Sequence, residues 1–369
     1  MLTSRRPKLC IVNPFEHGGG AEFQISLLID ALVAAGEYEI HYLTHFVDTR
    51  ESIRNYQVAQ IGNGGPLPRL GYIMDARSLY RKLGAIGPSV IYQRVACAYT
   101  GICAFYARRR SVPLVWHVAH DSDVTPQNID LQRNLLRARL EKRAVAYGAR
   151  NADRIVVQSR RQAELLQANY ARTADAVIAN FHPPAGETID KSGPLTVVWI
   201  ANLKTWKRPE IFLRLAQSLS GHGVRFVMVG APPPDSVNRR WREPLMRGIE
   251  GTSNLLYWGY KSHAEVNELL ARAHILVNTS TQEGFPNTFI QSWLRDVAVV
   301  SLQVDPDRVL ELQQVGVIAH TEAGLLAAVR SLLENHELRA AYARRGRDHA
   351  IANHSLRNVR ELVRFIGAH

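Results

Sequence analysis

"FHPPAGETIDKSGPLTVVWIAN", residues 181–202, is where one pattern of the chain stops and a second begins. Residues 181–195 concentrate proline, glycine and polar side chains without an apolar period, as a linker between domains does. From Leu195 the run LTVVWIAN (195–202) reads as a strand, and PEIFLRLAQSL (209–219) after it reads as a helix. The alternation continues with strands at 224–230 and 254–259, a helix at 263–273, and strands at 274–280 and 297–302. The residues before the linker keep the same rhythm. KLCIV (8–12), YEIHYLT (38–44), SVIYQR (89–94), VPLVWHV (112–118), RIVVQ (154–158) and AVIAN (176–180) are strand candidates. AEFQISLLIDALVAAG (21–36) is a helix that ends at a glycine. Strand–helix alternation on both sides predicts an α/β protein with two doubly wound parallel sheets. The expected domains are 1–185 and 186–369, with the terminal helical residues 337–369 packing back toward the N-terminal domain. Sheets of this kind bind ligands beyond the carboxyl ends of their strands, so a ligand is expected in a cleft between two facing domains.

A length of 369 residues favours two domains over one core, and 46% hydrophobic with 21% charged residues is a soluble globular balance. No apolar run approaches the roughly eighteen residues needed to span a bilayer. The start, MLTSRRPKLCIVNPF, puts basic residues before a short apolar stretch that breaks at Asn13-Pro14, so it reads as a first strand and not a secretory signal. Cys10, Cys97 and Cys103 form no disulfide framework and have no metal-ligand spacing, which points to a reducing cytoplasm. Lys and Arg number 45 against 33 Asp and Glu, a formal net charge of +12 that favours phosphate-bearing partners. Much of the surplus is arginine on helices, as in LQRNLLRARLEKRAVAYGAR (131–150). There Leu131, Leu135, Ala138 and Val145 form an apolar face surrounded by Arg133, Arg137, Arg139, Lys142 and Arg143. That helix reads either as a solvated face or as a surface for an anionic membrane. With no RNA-binding signature or zinc spacing, nucleic acid is not an expected partner.

Three stretches carry chemistry. In TQEGFPNTFIQSW (281–293), Glu283 precedes Gly284-Phe285-Pro286, and Pro286 and Asn287 suit the opening of a helix. Such an opening can hold an anion on its backbone N–H groups, and Asn287 and Gln291 lie one i, i+4 step apart on a shared face. NPFEHGGGAE (13–22) is a glycine-rich turn between a strand and a helix, where the backbone can approach a ligand closely. Gly18-Gly19-Gly20 lacks the G-x-G-x-x-G spacing of dinucleotide sites, which argues against a dehydrogenase. ANLKTWKRPE (201–210) gathers Lys204, Lys207 and Arg208 at the carboxyl end of a strand, a placement that suits a diphosphate.

Taken in order, GGGAE after the first strand, the lysine beyond the first strand of the second half, and E-G-F-P in the last third resemble the retaining glycosyltransferases of family 4. ADRIVVQS and VIANFHPP resemble two further segments of that family, and WKRPE and EGFPNTFIQ its bacterial surface-polysaccharide members. The resemblance implies the GT-B fold, two Rossmann-like domains with a nucleotide-diphosphate sugar in the cleft. It implies that Glu283 contacts the donor sugar and that the backbone of Gly284, Phe285, Pro286, Asn287 and Thr288 holds the diphosphate. It further implies that Lys207 neutralises that diphosphate and that Gly19 and Gly20 close over it. His120 in WHVAHDSD falls near the family's histidine by the reacting sugar, with His117 the competing candidate.

Two positions depart from the family pattern. The second glutamate of its E-x7-E motif is Gln291, whose amide oxygen can still accept from a ribose hydroxyl without charge assistance. The arginine five residues before the lysine is Asn202, which leaves Lys204 or Arg208 to supply a second positive charge. DSD (121–123) and DPD (305–307) could pass for an Asp-x-Asp metal motif but read better as turn and cap residues, with Asp121 near the acceptor. Neither a metal nor a cofactor is expected, because cationic groups and backbone dipoles suffice to stabilise the leaving nucleoside diphosphate. The expected activity is transfer of a hexose, with retention, to a hydroxyl of a glycan or polyprenyl-linked acceptor in bacterial polysaccharide biosynthesis. The protein would be cytoplasmic and peripheral on the inner face of the membrane. An epimerase of the same fold and a degenerate nucleotide-sugar-binding protein are the alternatives.

Overall fold

Runs of Val, Ile and Leu that alternate with amphipathic stretches can be stable as strands only if both faces are covered. The computed structural model, which describes residues 6–16, 18–47, 54–62, 70–125, 135–231 and 239–368, builds two such layered units. One comprises Met1–Phe181 and Leu356–His369, the other His182–Ser355.

In the first unit the strands are β1 (Lys8–Val12), β2 (Glu39–Thr44), β3 (Gln57–Gln60), β4 (Val90–Arg94), β5 (Leu114–His117), β6 (Arg154–Val157) and β7 (Ala176–Val177). They form a parallel sheet in the order β3-β2-β1-β4-β5-β6-β7. The described helices are α1 (Gly20–Ala35), α2 (Ala76–Ile86), α3 (Ala98–Arg110), α4 (Leu135–Asn151), α5 (Arg160–Tyr170) and, from the end of the chain, α13 (Arg357–Gly367). Successive residues of a strand face opposite ways, and β1 shows the consequence. Leu9 and Ile11 pack with Ile25, Leu28 and Leu32 of α1, while Cys10 and Val12 pack with Leu79 and Leu83 of α2 and Ala98 of α3. α1 buries the row Ile25, Leu28, Ile29, Leu32, each worth about 1.5–3 kcal/mol. It stops at Gly36, whose φ of 66° turns its N–H back to Leu32 O and Val33 O at 3.0 and 3.1 Å.

The second unit repeats the plan with β8 (Thr196–Ile200), β9 (Arg225–Val229), β10 (Leu255–Gly259), β11 (Ile275–Asn278), β12 (Ala298–Ser301) and β13 (Gly316–Ile318). The order is β10-β9-β8-β11-β12-β13, again parallel. Its helices are α6 (Pro209–Ser218), α7 (Arg239–Glu250), α8 (His263–Arg272), α9 (Asn287–Trp293), α10 (Val309–Leu312), α11 (Glu322–Glu334) and α12 (His336–Asn353). Val197 and Trp199 face α6 through Phe212 and Leu215; Val198 faces Leu269 of α8 and Phe289 of α9. Both sheets follow the doubly wound order 3-2-1-4-5-6. Sheet growth therefore reverses between β1 and β4 in one unit and between β8 and β11 in the other.

Several expectations meet a different outcome. AVIAN pairs in the sheet only through Ala176–Val177, because the chain then turns to bring Phe181 N–H and C=O onto the side chain of Gln24. β3, QVAQ, carries too few apolar residues to stand out in the sequence, and β13, GVI, is too short. The division between units falls after Phe181, and of the terminal residues only 356–369 join the first unit. There Val359, Leu362 and Ile366 of α13 enter the core beside α1, and Asn358 Nδ2 donates to Ala179 O at 3.1 Å. Within 131–150 the described helix begins at Leu135; Leu131 and Arg133 lie outside the described residues. Leu135 is 63% exposed instead of facing the core, since the buried row of α4 is Ala138, Val145, Gly148 and Ala149. Small residues are needed there: a Cβ on Gly101 of α3 would lie 2.4 Å from Ala144 O, and one on Gly148 2.7 Å from the Thr100 backbone.

Candidate active site

The strand order reverses between β8 and β11, and the carboxyl ends at such a reversal are where doubly wound sheets take ligands. The two loops that leave these ends are 201–208 and 279–286, which contain the lysine cluster and the E-G-F-P turn. They are tied together. Thr279 Oγ1 donates to Lys207 O at 2.6 Å and accepts from Trp199 Nε1 at 2.8 Å, and Thr281 N–H donates to Trp206 O at 2.9 Å. The end of β9 must pass close to the first loop, which is why Gly230 has no side chain: at its φ of 145° a Cβ would lie 1.8 Å from Ala201 O.

At the centre Lys207 Nζ is ion-paired with Glu283 Oε1, which also accepts from Ser280 Oγ at 2.7 Å. The two charged side chains are 17% and 12% exposed, so each is largely screened from bulk water yet open to a ligand. The other cations of the cluster diverge. Lys204 Nζ lies 4.9 Å from the Trp206 ring centre. Arg208 adopts a left-handed conformation (φ 48°) and approaches Glu322 at 3.6 Å, a carboxylate that Arg214 grips at 2.9–3.0 Å. Of the two residues available for a second positive charge, Arg208 is thus turned toward a carboxylate. Asn202 is exposed and its carbonyl accepts from Lys204 N–H at 2.8 Å.

The E-G-F-P turn runs directly into α9, with Pro286 at the N-cap. Phe285 is anchored by its ring, 4.4 Å from that of His354 and edge-on to Trp293, which fixes the backbone of Gly284 to Asn287. Asn287 Oδ1 accepts from His182 Nε2 at 3.0 Å. Burial holds His182 neutral, its pKa lowered to about 3. Thr288 remains half-buried in the first turn of α9. Gln291, one turn on, is 3% exposed and donates through Nε2 to Asn267 Oδ1 at 2.9 Å. Its amide oxygen takes no bond from a described residue, so it is the acceptor the side chain still offers.

The first unit presents its own strand ends. After β1, Asn13 Nδ2 donates to Phe15 O (2.9 Å) and to Glu22 Oε1 (3.0 Å), and Glu16 is clasped by Arg54 (2.6 and 3.1 Å) and Tyr56 (3.2 Å). Gly18, at φ 117°, makes a turn that other residues rarely adopt; Gly19 is the N-cap of α1 and Gly20 its first residue. At the end of β5, His117 is 1% exposed; its Nδ1 lies 2.7 Å from Tyr92 Oη and accepts from Arg94 Nη1 at 3.2 Å. Burial and the Arg94 charge push its pKa well below the usual histidine value. His120 is half-buried in the following loop, with Nδ1 accepting from Ser122 N–H at 3.1 Å. Of the two histidines, His120 is the one with ring surface open to solvent.

The Asp-x-Asp stretches act as caps and turns. Asp123 Oδ2 accepts from Ala119 and His120 N–H at 2.8 and 3.1 Å, and Asp305 accepts from Leu310 and Glu311 N–H at 2.8 and 3.2 Å. Asp121 Oδ1 accepts from Gln162 Nε2 at 3.2 Å, and burial raises its pKa.

Reading the sequence did not single out Ser280, His182 or Asn267. Ser280 could have been suspected from its place three residues before Glu283. The other two act through contacts made only by folding: His182 sits 105 residues from Asn287, and Asn267 lies 24 residues from Gln291.

Residues 18–182 match the family model described as Glycosyltransferase Family 4, and residues 194–335 match that described as Glycosyl transferases group 1. Among solved structures, sucrose-phosphate synthase from Thermosynechococcus elongatus is similar at 16% identity, covering 98% of this chain and 100% of that chain, with a TM-score of 0.78. HepE of Anabaena, in complex with UDP and glucose, is similar at 15% identity, covering 99% and 100% with a TM-score of 0.80. WaaG, a glycosyltransferase involved in lipopolysaccharide biosynthesis, is similar at 14% identity, covering 98% and 100% with a TM-score of 0.80. A comparison with curated proteins returns no match. At such identities the structural likeness establishes the fold, two Rossmann-like units of the GT-B class, while the family matches cover each unit in turn. The chain therefore carries a Glycosyltransferase Family 4 domain on its first sheet and a glycosyl transferases group 1 domain on its second.

Proposed function

We propose that this glycosyltransferase moves a hexose, with retention, from a nucleotide-diphosphate sugar to a hydroxyl of a glycan or polyprenyl-linked acceptor in bacterial polysaccharide biosynthesis. The observation that carries the reading is the Lys207–Glu283 pair at the β8–β11 switch point, a cation for a diphosphate beside a carboxylate for sugar hydroxyls. The complex of HepE with UDP and glucose supports the donor class by analogy. Glu283 orients the sugar, Lys207 with Lys204 neutralises the diphosphate, and the backbone of residues 284–288 holds its oxygens. Gln291 accepts from the ribose through its amide oxygen. Gly19 and Gly20 keep the diphosphate role that the family resemblance implies, His120 that of the histidine by the reacting sugar, and Asp121 that of an acceptor contact. In the transfer the acceptor oxygen bonds to the anomeric carbon as that carbon's bond to the diphosphate breaks. The bonding electrons leave with the nucleoside diphosphate, and the hydroxyl proton is released with it.

We place the enzyme in the cytoplasm at the inner face of the membrane, and no helix among the described residues is long and apolar enough to cross it. The test is a screen of nucleotide sugars by thermal shift and hydrolysis, followed by transfer to an acceptor in excess chelator, with the product anomer read by NMR. One donor that stabilises the protein and gives a retained product supports the reading. A donor returned as its epimer without acceptor would assign an epimerase, and binding without turnover toward any acceptor would assign a degenerate binding protein.

A further inference from the structure

A sheet edge offers backbone N–H and C=O groups to any other strand, and proteins blunt their edges with short strands, charges or proline. Among the described residues the two sheets end in four edge strands, β3, β7, β10 and β13. β7 has two residues and β13 three, while β3 is QVAQ, with a glutamine at either end. β10 is different. It reads LLYWG, and the run 254–260, NLLYWGY, contains neither a charge nor a proline. Leu255 and Tyr257 face the core shared with α6 and α7, which puts Leu256 and Trp258 on the opposite face. There α8 packs Val266 and Leu269 against Val227 and Val229 of β9. Leu256, Trp258 and the following Tyr260 are 45%, 41% and 58% exposed. A bulge between Tyr257 and Gly259 shortens the regular ladder without hiding Trp258. The first charges on either side are Glu250, exposed at the end of α7, and Lys261, whose Nζ lies 6.0 Å from the Trp258 ring centre.

We propose that β10 pairs antiparallel with β10 of a second copy of this chain, joining the two six-stranded sheets into one. Symmetry and charge both select that occupant. With Tyr257 on the two-fold axis, Leu256 of each copy lies opposite Trp258 of the other, an apolar cross-strand pair made twice. The antiparallel run also carries Glu250 of each copy toward Lys261 of the other, whereas parallel pairing would set like charges together. The three exposed side chains offer roughly 100 Å² each, so the pair buries on the order of 600 Å² of apolar surface. With the strand backbones and flanking turns added, the contact comes to about 1,200 Å², the low end of specific interfaces. An interface of that size suits a dimer in exchange with its monomer, not an obligate one. β10 lies two strands from β8, and the pairing adds no group to the Lys207–Glu283 site, so the inference stands apart from the transferase reading.

The test is sedimentation velocity of the full chain from about 1 to 200 μM, with neither donor nor acceptor. The sedimenting species should pass from one chain to two, with a dissociation constant in the micromolar range. Leu256→Lys and Trp258→Lys should each raise that constant at least ~tenfold, with melting temperature and donor hydrolysis unchanged, because a lysine on an edge strand opposes pairing. The control is Leu312→Lys on α10, a leucine 60% exposed elsewhere on the same unit, which should change the constant less than ~twofold. Lys261→Glu should weaken the dimer ~threefold or more, and adding Glu250→Lys to the same chain should restore it. A monomer throughout the range, a dimer indifferent to lysine at 256 and 258, an equal loss in the Leu312 control, or no recovery on double charge reversal would each overturn the proposal.

Discussion

Replacing Glu283 by glutamine separates two roles that the site combines. There Lys207 is paired with Glu283, and Ser280 Oγ donates to the same carboxylate at 2.7 Å. In the proposed reaction the diphosphate takes Lys207 and the sugar hydroxyls take Glu283, so donor binding exchanges the ion pair for ligand contacts. Glu283→Gln keeps the length and planarity of the side chain and removes its charge. A hydrogen bond to a charged group is worth about 1.5–3 kcal/mol, against about 1 for a neutral one. Losing charge assistance on one sugar hydroxyl should lower kcat/KM about tenfold, and on two hydroxyls toward a hundredfold or more.

The nucleoside diphosphate alone carries no sugar and gives the opposite sign. Without its carboxylate partner Lys207 has no competitor for the phosphates. With desolvation of both groups set against their attraction, such a pair nets on the order of 1 kcal/mol, so the bare diphosphate should bind the variant as tightly as wild type or up to about fivefold tighter. The assay is calorimetric titration of the nucleoside diphosphate of the accepted donor, beside steady-state transfer and a thermal melt. Turnover within twofold of wild type would refute the sugar contact. A parallel loss of diphosphate affinity would show that Glu283 acts by positioning Lys207 and not by touching the sugar.

Lys207→Ala should weaken nucleoside diphosphate binding at least ~tenfold and bare nucleoside binding little, read by the same titration. Gly230→Ala should destabilise the protein by about 2 kcal/mol or more and loosen the 201–208 loop, seen as a lower melting temperature and weaker donor binding, since its Cβ would meet Ala201 O. The pH dependence of stability has a definite sign. Burial lowers the pKa of His182 to about 3 when folded, below its unfolded value near 6.5, so its contribution is complete above pH ~6.5 and is lost as pH falls toward 3. Melting curves should show unfolding favoured by up to about 1.4 kcal/mol per pH unit within that window, and His182→Gln should flatten the slope by one proton.

The fold was readable because its signal is repeated. Cys10-Ile11-Val12 and Val197-Val198-Trp199 are apolar on both faces, which only a covered parallel strand tolerates, and glycine or proline marks the ends of α1 and the start of α6. β3 gave no such signal, as an edge strand half open to solvent needs few apolar residues, and the three residues of β13 are too short a run to show a pattern. The proximity of the two candidate loops was readable for a related reason: Lys207 and Glu283 each follow a central strand, and the doubly wound order makes those strands neighbours. Partners of the second rank were not. Nothing near Arg208 in sequence announces Glu322, which lies more than a hundred residues away and draws the guanidinium aside. Leu135 misled because helical spacing sets which residues share a face but not where the neighbouring helix ends.

The two departures from the family pattern make physical sense beside their neighbours. At position 291 a carboxylate would be 3% exposed, facing Asn267 on α8, whose amide would have to turn its nitrogen inward to serve it. Glutamine instead donates to Asn267 Oδ1 and keeps its own oxygen for a hydroxyl, so the proposed ribose contact can still be made while the cost of a buried charge is removed. The nearby Arg295 does not call for a carboxylate there, because Glu187 already neutralises it at 2.6 Å. At position 202 the loss of a cation leaves two candidates, and Glu322 with Arg214 has drawn Arg208 away. In the proposed reaction, diphosphate neutralisation then falls to Lys207 and Lys204. Lys204→Ala should consequently weaken nucleoside diphosphate binding more than Arg208→Ala does, by about threefold or more in the dissociation constant. Equal effects of the two substitutions would mean that Arg208 leaves Glu322 when the donor binds, and that the second charge comes from there.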